Sequence, residues 1–288
     1  MSHTAQIITS YGRRYIVRTP DGQTFDATTR KKRVDFACGD QVEISPINAE
    51  QVVIEDFLPR QSLLYRQDAW KTKLIAANVS QLLIVTAAVP SPSEALLQRA
   101  LLAAEAADIE AVIVLNKADL PETAQWRDKL AFYETLGYRV VEVSALDGAD
   151  SLRPLLHGHT NIFLGQSGMG KSTLTNALLG NQAARTGDIS TALDSGKHTT
   201  THAQLYDLDN ETQLIDSPGL QEFGLHHLEA TALLNYFPDL RHLAGQCRFH
   251  NCTHRAEPNC AVKAAAEAGE VRTERVEFLQ RVTDELLR

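Results

Sequence analysis

The sequence predicts three parts in series: a small β-barrel over residues 1–62, an α/β domain over 63–225, and a small, mostly helical metal-binding segment over 226–288. Three observations carry this division. Short alternating apolar and polar stretches fill the first part. Longer apolar runs then alternate with helix-forming stretches, and one of them opens onto a glycine-rich loop. Finally, three of the four cysteines crowd between Cys247 and Cys260.

In the first part, residues 5–10, 14–19, 23–28, 41–45 and 51–57 read as five strands, with Pro20, Asp21 and Gly22 forming a hairpin turn. Five short strands in about 60 residues suit an OB-fold. Tyr11, Tyr15 and Phe25 either offer stacking faces to RNA beside the basic run Arg30, Lys31, Lys32 and Arg33, or fill the barrel core, the core being the favoured reading for Tyr15 and Phe25. Around residue 60 the pattern changes. Residues 81–86 form a buried-strand run, and Ser91 to Glu94 have capping-box spacing before an apolar helix over 94–107.

Within the second part, Gly165, Gln166, Ser167, Gly168, Met169, Gly170, Lys171 and Ser172 lie between an apolar strand (162–164) and a helix (172–179) that ends at Gly180. The glycines let successive N–H groups converge on phosphate oxygens at a helix N-terminus. Lys171 then reaches the β- and γ-phosphates, Ser172 places its hydroxyl on Mg²⁺, and Thr173 helps to hold the α-phosphate.

Asn116, Lys117, Ala118 and Asp119 follow the strand 112–115, and Leu120 and Pro121 would begin the next helix. The Asp119 carboxylate can accept from guanine N1–H and N2–H₂, a donor pair that adenine lacks. Asn116 can bond the other edge of the base, and the Lys117 stem is long enough to lie over the ring. Ser144 and Ala145, after the strand 140–143, fit a second base-contacting loop.

Asp216 follows the strand 212–215, where it can hold a water of Mg²⁺, and the Gly219 N–H can meet the γ-phosphate. Between the phosphate loop and this point lie Gly196, Lys197, His198, Thr199, Thr200, Thr201 and His202. One threonine there is a ligand for Mg²⁺, and Thr200 is the choice over Thr199 and Thr201; the later members also suit a β-strand. Leu220 stands where many GTPases have a water-orienting glutamine, so turnover is expected to be slow alone. His198 is the candidate water-orienting residue within the chain, with a solvent-exposed side chain as the alternative. The guanine-reading loop precedes the phosphate loop, the reverse of the ordinary order, and a circular permutation accounts for this.

Cys247, Cys252 and Cys260, with His254 or His250, have the spacing of a tetrahedral Cys₃His zinc site. The absence of a signal-peptide pattern leads us to expect a reducing cytoplasm, where metal is favoured over disulfides. Cys38 stands apart and reads as a small core residue. Residues 267–287 are charged and amphipathic, which predicts a surface helix, with a partner-binding helix as the alternative. No apolar run approaches the ~18 residues that span a membrane. A net charge of −8 argues against a general polyanion-binding surface and makes any RNA contact local.

Together these features resemble the bacterial ribosome small subunit-dependent GTPase A family (RsgA, or YjeQ). The carriers are the run Ala76, Ala77, Asn78, Val79, Ser80 and Gln81, the motifs above in their permuted order, and the Cys-x₄-Cys-x-His-x₅-Cys spacing. The resemblance spans nearly all of the chain. It implies an OB-fold, a circularly permuted P-loop GTPase domain and a zinc domain in which His254 is the preferred ligand. It also implies GTP with Mg²⁺, one structural Zn²⁺, and action on the small (30S) ribosomal subunit and its 16S rRNA late in maturation. A cytoplasmic monomer is expected. Rival readings are a GTP-gated RNA-binding module with incidental hydrolysis, and a GTPase that regulates a non-ribosomal protein assembly.

Overall fold

A computed structural model describes residues 3–12, 14–30, 36–67, 72–180, 202–217 and 224–288. Strands β1 (His3–Ser10), β2 (Tyr15–Arg18), β3 (Thr24–Thr29), β4 (Gln41–Pro46) and β5 (Gln51–Phe57) form the barrel, within a residue or two of expectation. Pairing of β1 with β4, from His3 opposite Ile44 to Gln6 opposite Gln41, closes it. Every second side chain turns inward, so Ile7, Tyr15, Val17, Val42, Ile44, Val52 and Ile54 fill one apolar core. Tyr15 therefore belongs to the core, and Phe25 packs against it partly buried, whereas Tyr11 is half exposed.

A hairpin of β6 (Leu63–Gln67) and β7 (Thr72–Ala77) leads into the α/β sheet. There β8 (Gln81–Thr86), β9 (Glu110–Asn116), β10 (Arg139–Val143), β11 (Thr160–Leu164) and β13 (Gln213–Asp216) run parallel, and β12 (Gln204–Asp207) is antiparallel to β13. All six residues of β8 are buried, as in a strand covered on both faces. Leu82, Ile84, Ile113 and Leu115 share one core with α1 (Glu94–Ala106) and α2 (Thr123–Thr135). Leu83, Val85, Val112 and Val114 face α3 (Arg153–Leu156) and α4 (Lys171–Leu179) on the other side. This split follows from the two-residue period of a strand.

Three local expectations need correction. The cap of α1 is Ser93, whose Oγ accepts from the Leu96 N–H at 3.2 Å, so Ser91 and Glu94 do not form the capping box. Glu94 instead accepts from the Tyr133 hydroxyl at 3.3 Å. Helix α2 begins at Thr123 rather than at Leu120 and Pro121, which lie in a turn closed by the Leu120 N–H donating to the Lys117 carbonyl at 3.0 Å. The helix expected over 267–287 begins only at Thr273, as α6 (Thr273–Leu286); a shorter α5 (Ala261–Glu267) precedes it, and Gly269 in a left-handed conformation (φ +74°) parts the two. Helix α6 is the expected amphipathic surface helix, with Glu274, Glu277 and Arg281 exposed and its apolar face on the core. Phe278, Leu279 and Val282 join the core beneath α1, and buried Arg275 pairs with Asp239 (2.8 and 2.9 Å) and with Gln98 of α1 (3.1 Å). No helix among the described residues is long and apolar enough to cross a membrane.

Candidate nucleotide site and metal centre

The carboxyl ends of β8, β9, β11 and β13 gather at one rim of the sheet, where open α/β folds bind ligands. The glycine-rich loop leaves β11 there and enters α4. Gly165 must lack a side chain, because a Cβ would stand 2.2 Å from the Val85 carbonyl oxygen. Gly170 is the left-handed N-cap of α4 (φ +94°), and no side chain caps that helix, a helix start suited to an anion. Ser172 and Thr173 lie in its first turn. The buried Lys171 ammonium donates to the carbonyls of Gly165 (2.9 Å) and Gln166 (3.1 Å). Its burial lowers the Lys171 pKa, and the charge of Asp216 opposes that shift.

Buried Asn116 joins the two nucleotide loops. Its Nδ2 donates to the Met169 carbonyl at 2.9 Å, and its Oδ1 accepts from the Ala145 N–H at 3.1 Å. Lys117, at φ +59°, donates to the Val89 (2.8 Å) and Gly168 (2.9 Å) carbonyls, tying the loop after β8 to the phosphate loop. Thr123 Oγ1 holds the Lys117 carbonyl at 2.9 Å, and the Ala118 N–H donates to Val143 at 3.1 Å. Ala118, Asp119 and Ser144 line a cavity of about 480 Å³ together with Glu142, Asp147 and Gly148. That volume is within the range of small-ligand sites. Ser144 Oγ is buried there without a hydrogen-bond partner, which leaves it for a polar ligand. Sequence reasoning missed the Val89 carbonyl and the Asp147 and Gly148 wall, since these act through backbone position and carry no motif.

Gly170 fits against this joint with no room to spare. A Cβ would lie 2.2 Å from Asn116 Nδ2. Gly170→Ala is therefore expected to displace Asn116 and weaken GTP binding by about tenfold or more, the equivalent of one lost buried hydrogen bond with added strain. Titration with a fluorescent GTP analogue checks this, and wild-type affinity would contradict the role given to that glycine.

Buried Asp216 ends β13, in register with Phe163 of β11, just before the phosphate loop. Ser217 Oγ donates to the Phe163 carbonyl at 2.6 Å and fixes the exit from β13. Of the other candidates, Gly196, Lys197, His198, Thr199, Thr200 and Thr201, with Gly219 and Leu220, lie outside the described residues, as do Lys31, Lys32 and Arg33.

The second site gathers Cys247, Cys252, His254 and Cys260, whose ligand atoms all lie within 4.8 Å of one another. His254 Nδ1 is 3.6 Å from Cys247 Sγ and 3.5 Å from Cys260 Sγ, and the two sulfurs are 3.9 Å apart. A tetrahedron with ~2.3 Å zinc–sulfur bonds has edges of about 3.8 Å, so the donor set fits Zn²⁺. His254 reaches inward because its backbone is left-handed (φ +61°). Glu257 orders the turn by accepting from the Thr253 hydroxyl at 2.6 Å and from the Thr253 and Arg255 N–H groups at 2.6 and 2.9 Å, and these bonds hold its pKa down at about 2. His250 is not a member of the gathered set.

A glycine-rich phosphate loop and a guanine-type loop on one rim, with the guanine-loop strand first in the chain, define a circularly permuted P-loop GTPase. The RsgA GTPase family is matched over residues 57–226, and the chain belongs to that family. It is 82% identical over 286 residues to the small ribosomal subunit biogenesis GTPase RsgA of Neisseria meningitidis serogroup C, covering 99% of this chain and 93% of the relative. The RsgA of Nitrosospira multiformis is 45% identical over 278 residues, 96% of this chain and 89% of that one. Among solved structures, YjeQ from Thermotoga maritima superposes with a TM-score of 0.73 at 29% identity, covering 100% of this chain and 99% of the other. YloQ, described as a circularly permuted GTPase, gives 0.69 at 27% identity, covering 100% and 96%. The protein is thus a GTP hydrolase with an OB-like barrel and a zinc-type cluster.

Proposed function

We propose that this GTPase binds the small (30S) ribosomal subunit, touches its 16S rRNA, and couples GTP hydrolysis to late subunit maturation and to its own release. The observation that carries the reading is 82% identity over nearly the whole chain to a small ribosomal subunit biogenesis GTPase. The parts are a barrel over 1–62, a GTPase domain over 63–225 and a zinc domain over 226–288. The protein works in the cytoplasm as a monomer.

GTP with Mg²⁺ would supply the phosphoanhydride bond and the charge that polarises it. Gly165 to Thr173 would cradle the phosphates, with Lys171 between the β- and γ-phosphates. Ser172 and Thr200 would hold Mg²⁺, Asp216 one of its waters, and the Gly219 N–H the γ-phosphate. Asp119 would read guanine, aided by Asn116, Lys117, Ala118, Ser144 and Ala145. His198 would orient the attacking water, since Leu220 cannot. One structural Zn²⁺ would sit on Cys247, Cys252, His254 and Cys260.

Steady-state GTP hydrolysis tests this with small subunits, large subunits or unrelated structured RNA. Turnover is expected to be slow alone and to rise strongly with small subunits only. In the same assay His198→Ala should lower stimulated turnover about 10²-fold and leave GTP binding intact. Equal turnover with every particle would reject the partner, and loss of GTP binding in the variant would reject the role of His198.

A further inference from the structure

Strand β12 would be the open edge of the α/β sheet, and the barrel covers it. Thr9 of β1 stands opposite Gln204 of β12, and Gln204 stands opposite Asp216 of β13. One row across three strands therefore joins the barrel to the carboxylate beside the phosphate loop. Gln6 and Gln213 exchange a reciprocal pair of amide hydrogen bonds, each 3.0 Å, and Arg18 donates to Asp207 at 2.8 Å. At the Thr9 end of this seam the Tyr11 ring lies 4.4 Å from the ring of His202, tilted by 49°. Tyr11 is set by the turn that follows β1, its N–H donating to the Arg14 carbonyl at 2.8 Å. His202 is partly buried, and burial lowers its pKa, so a neutral ring meets the tyrosine. In the chain, His202 comes two residues after Thr200 and two before Gln204.

We propose that Tyr11, a barrel residue, is a positioning residue for GTP hydrolysis that acts through His202. The ring pair fixes the start of β12, whose Gln204 stands opposite Asp216, the carboxylate beside the phosphate loop. Aromatic contacts of this kind are specific in geometry, and a tyrosine ring does this work without its hydroxyl. The nucleotide itself is held elsewhere, by the loops around Asn116 and Lys171. Loss of the ring pair should therefore reach the hydrolytic step and spare binding. This inference rests on the GTPase reading of the site.

The test is steady-state kinetics of full-length, zinc-loaded wild type, Tyr11→Ala, Tyr11→Leu, Tyr11→Phe, His202→Ala and the Tyr11→Ala/His202→Ala double variant, with and without small subunits. Tyr11→Ala, Tyr11→Leu and His202→Ala are each expected to lower kcat about threefold to tenfold with KM and GDP affinity unchanged. Tyr11→Phe should restore wild-type kcat, and the double variant should be no worse than either single one, as for two groups acting through one contact. Wild-type kcat in both Tyr11→Ala and Tyr11→Leu would overturn the inference. So would additive losses, or a parallel fall in GDP affinity that marks a merely structural effect. If wild type itself hydrolyses no GTP under any condition, the reading of the site fails and takes the inference with it. An active wild type beside equally active Tyr11→Ala and Tyr11→Leu removes the inference alone.

Discussion

Lys171→Ala is expected to lower GTP affinity and turnover by about 10²- to 10³-fold, the range for removing a preorganised donor aimed at developing charge. The lysine is only 6% exposed, and its ammonium is already held by two loop carbonyls. Its desolvation is thus met by folding, and a phosphate arriving at the loop exchanges for those carbonyls without stripping the cation of water. Lys171→Arg should fail nearly as badly, because the planar fork cannot take the place of a compact point charge in a buried slot. Titration with a GTP analogue, thermal melting and turnover check this together. A variant that folds and binds GTP within about threefold of wild type would remove Lys171 from the phosphate site.

The second large effect concerns zinc. Stripping the metal with a strong chelator, or Cys260→Ser, is expected to lower the melting temperature by about 10 °C, as a loss of roughly 3–5 kcal/mol would in a chain of this size. Cys260 is buried and is the N-cap of α5, and the Gln280 side chain of α6 donates to the His254 carbonyl at 2.5 Å. Arg255 pairs with Asp284 on the same helix. Releasing the cluster therefore loosens the footing of both C-terminal helices, while the phosphate loop, on the opposite sheet face with α4, keeps its own core. GTP affinity should stay within a few-fold of wild type, and protease should cleave first near residues 247–260. A zinc-free protein that melts at the wild-type temperature would show that the metal contributes nothing to this fold.

The barrel strands and the phosphate loop were legible because each is coded over a few adjacent residues. Alternation placed β5 at Gln51–Phe57, and a continuous apolar run placed β8 at Gln81–Thr86, both without error. Propensity misled where a neighbour settled the matter. The pattern of 267–287 did indicate an amphipathic surface helix, yet one of its charged residues, Arg275, is buried, its guanidinium bonded to Asp239 and to Gln98. The sequence favoured the core for Tyr15 and not for Tyr11, and strand register explains why the first is buried and the second stays half exposed on the rim.

By itself the sequence supplied the candidate chemical parts: a loop suited to cradle phosphates, a carboxylate suited to the guanine donor pair, and three thiols with a histidine. Those parts depend on residue type and on backbone turns a few residues long. Tertiary structure alone decided how they join. Spacing left His250 as a competitor of the preferred His254, and the folded turn brings His254 to the sulfurs. Lys117 meets Val89 and Gly168, and Tyr11 meets His202, across stretches of chain that no local pattern spans. Such contacts arise when packed surfaces from distant elements exclude water together, a condition set by the whole fold and by no single motif.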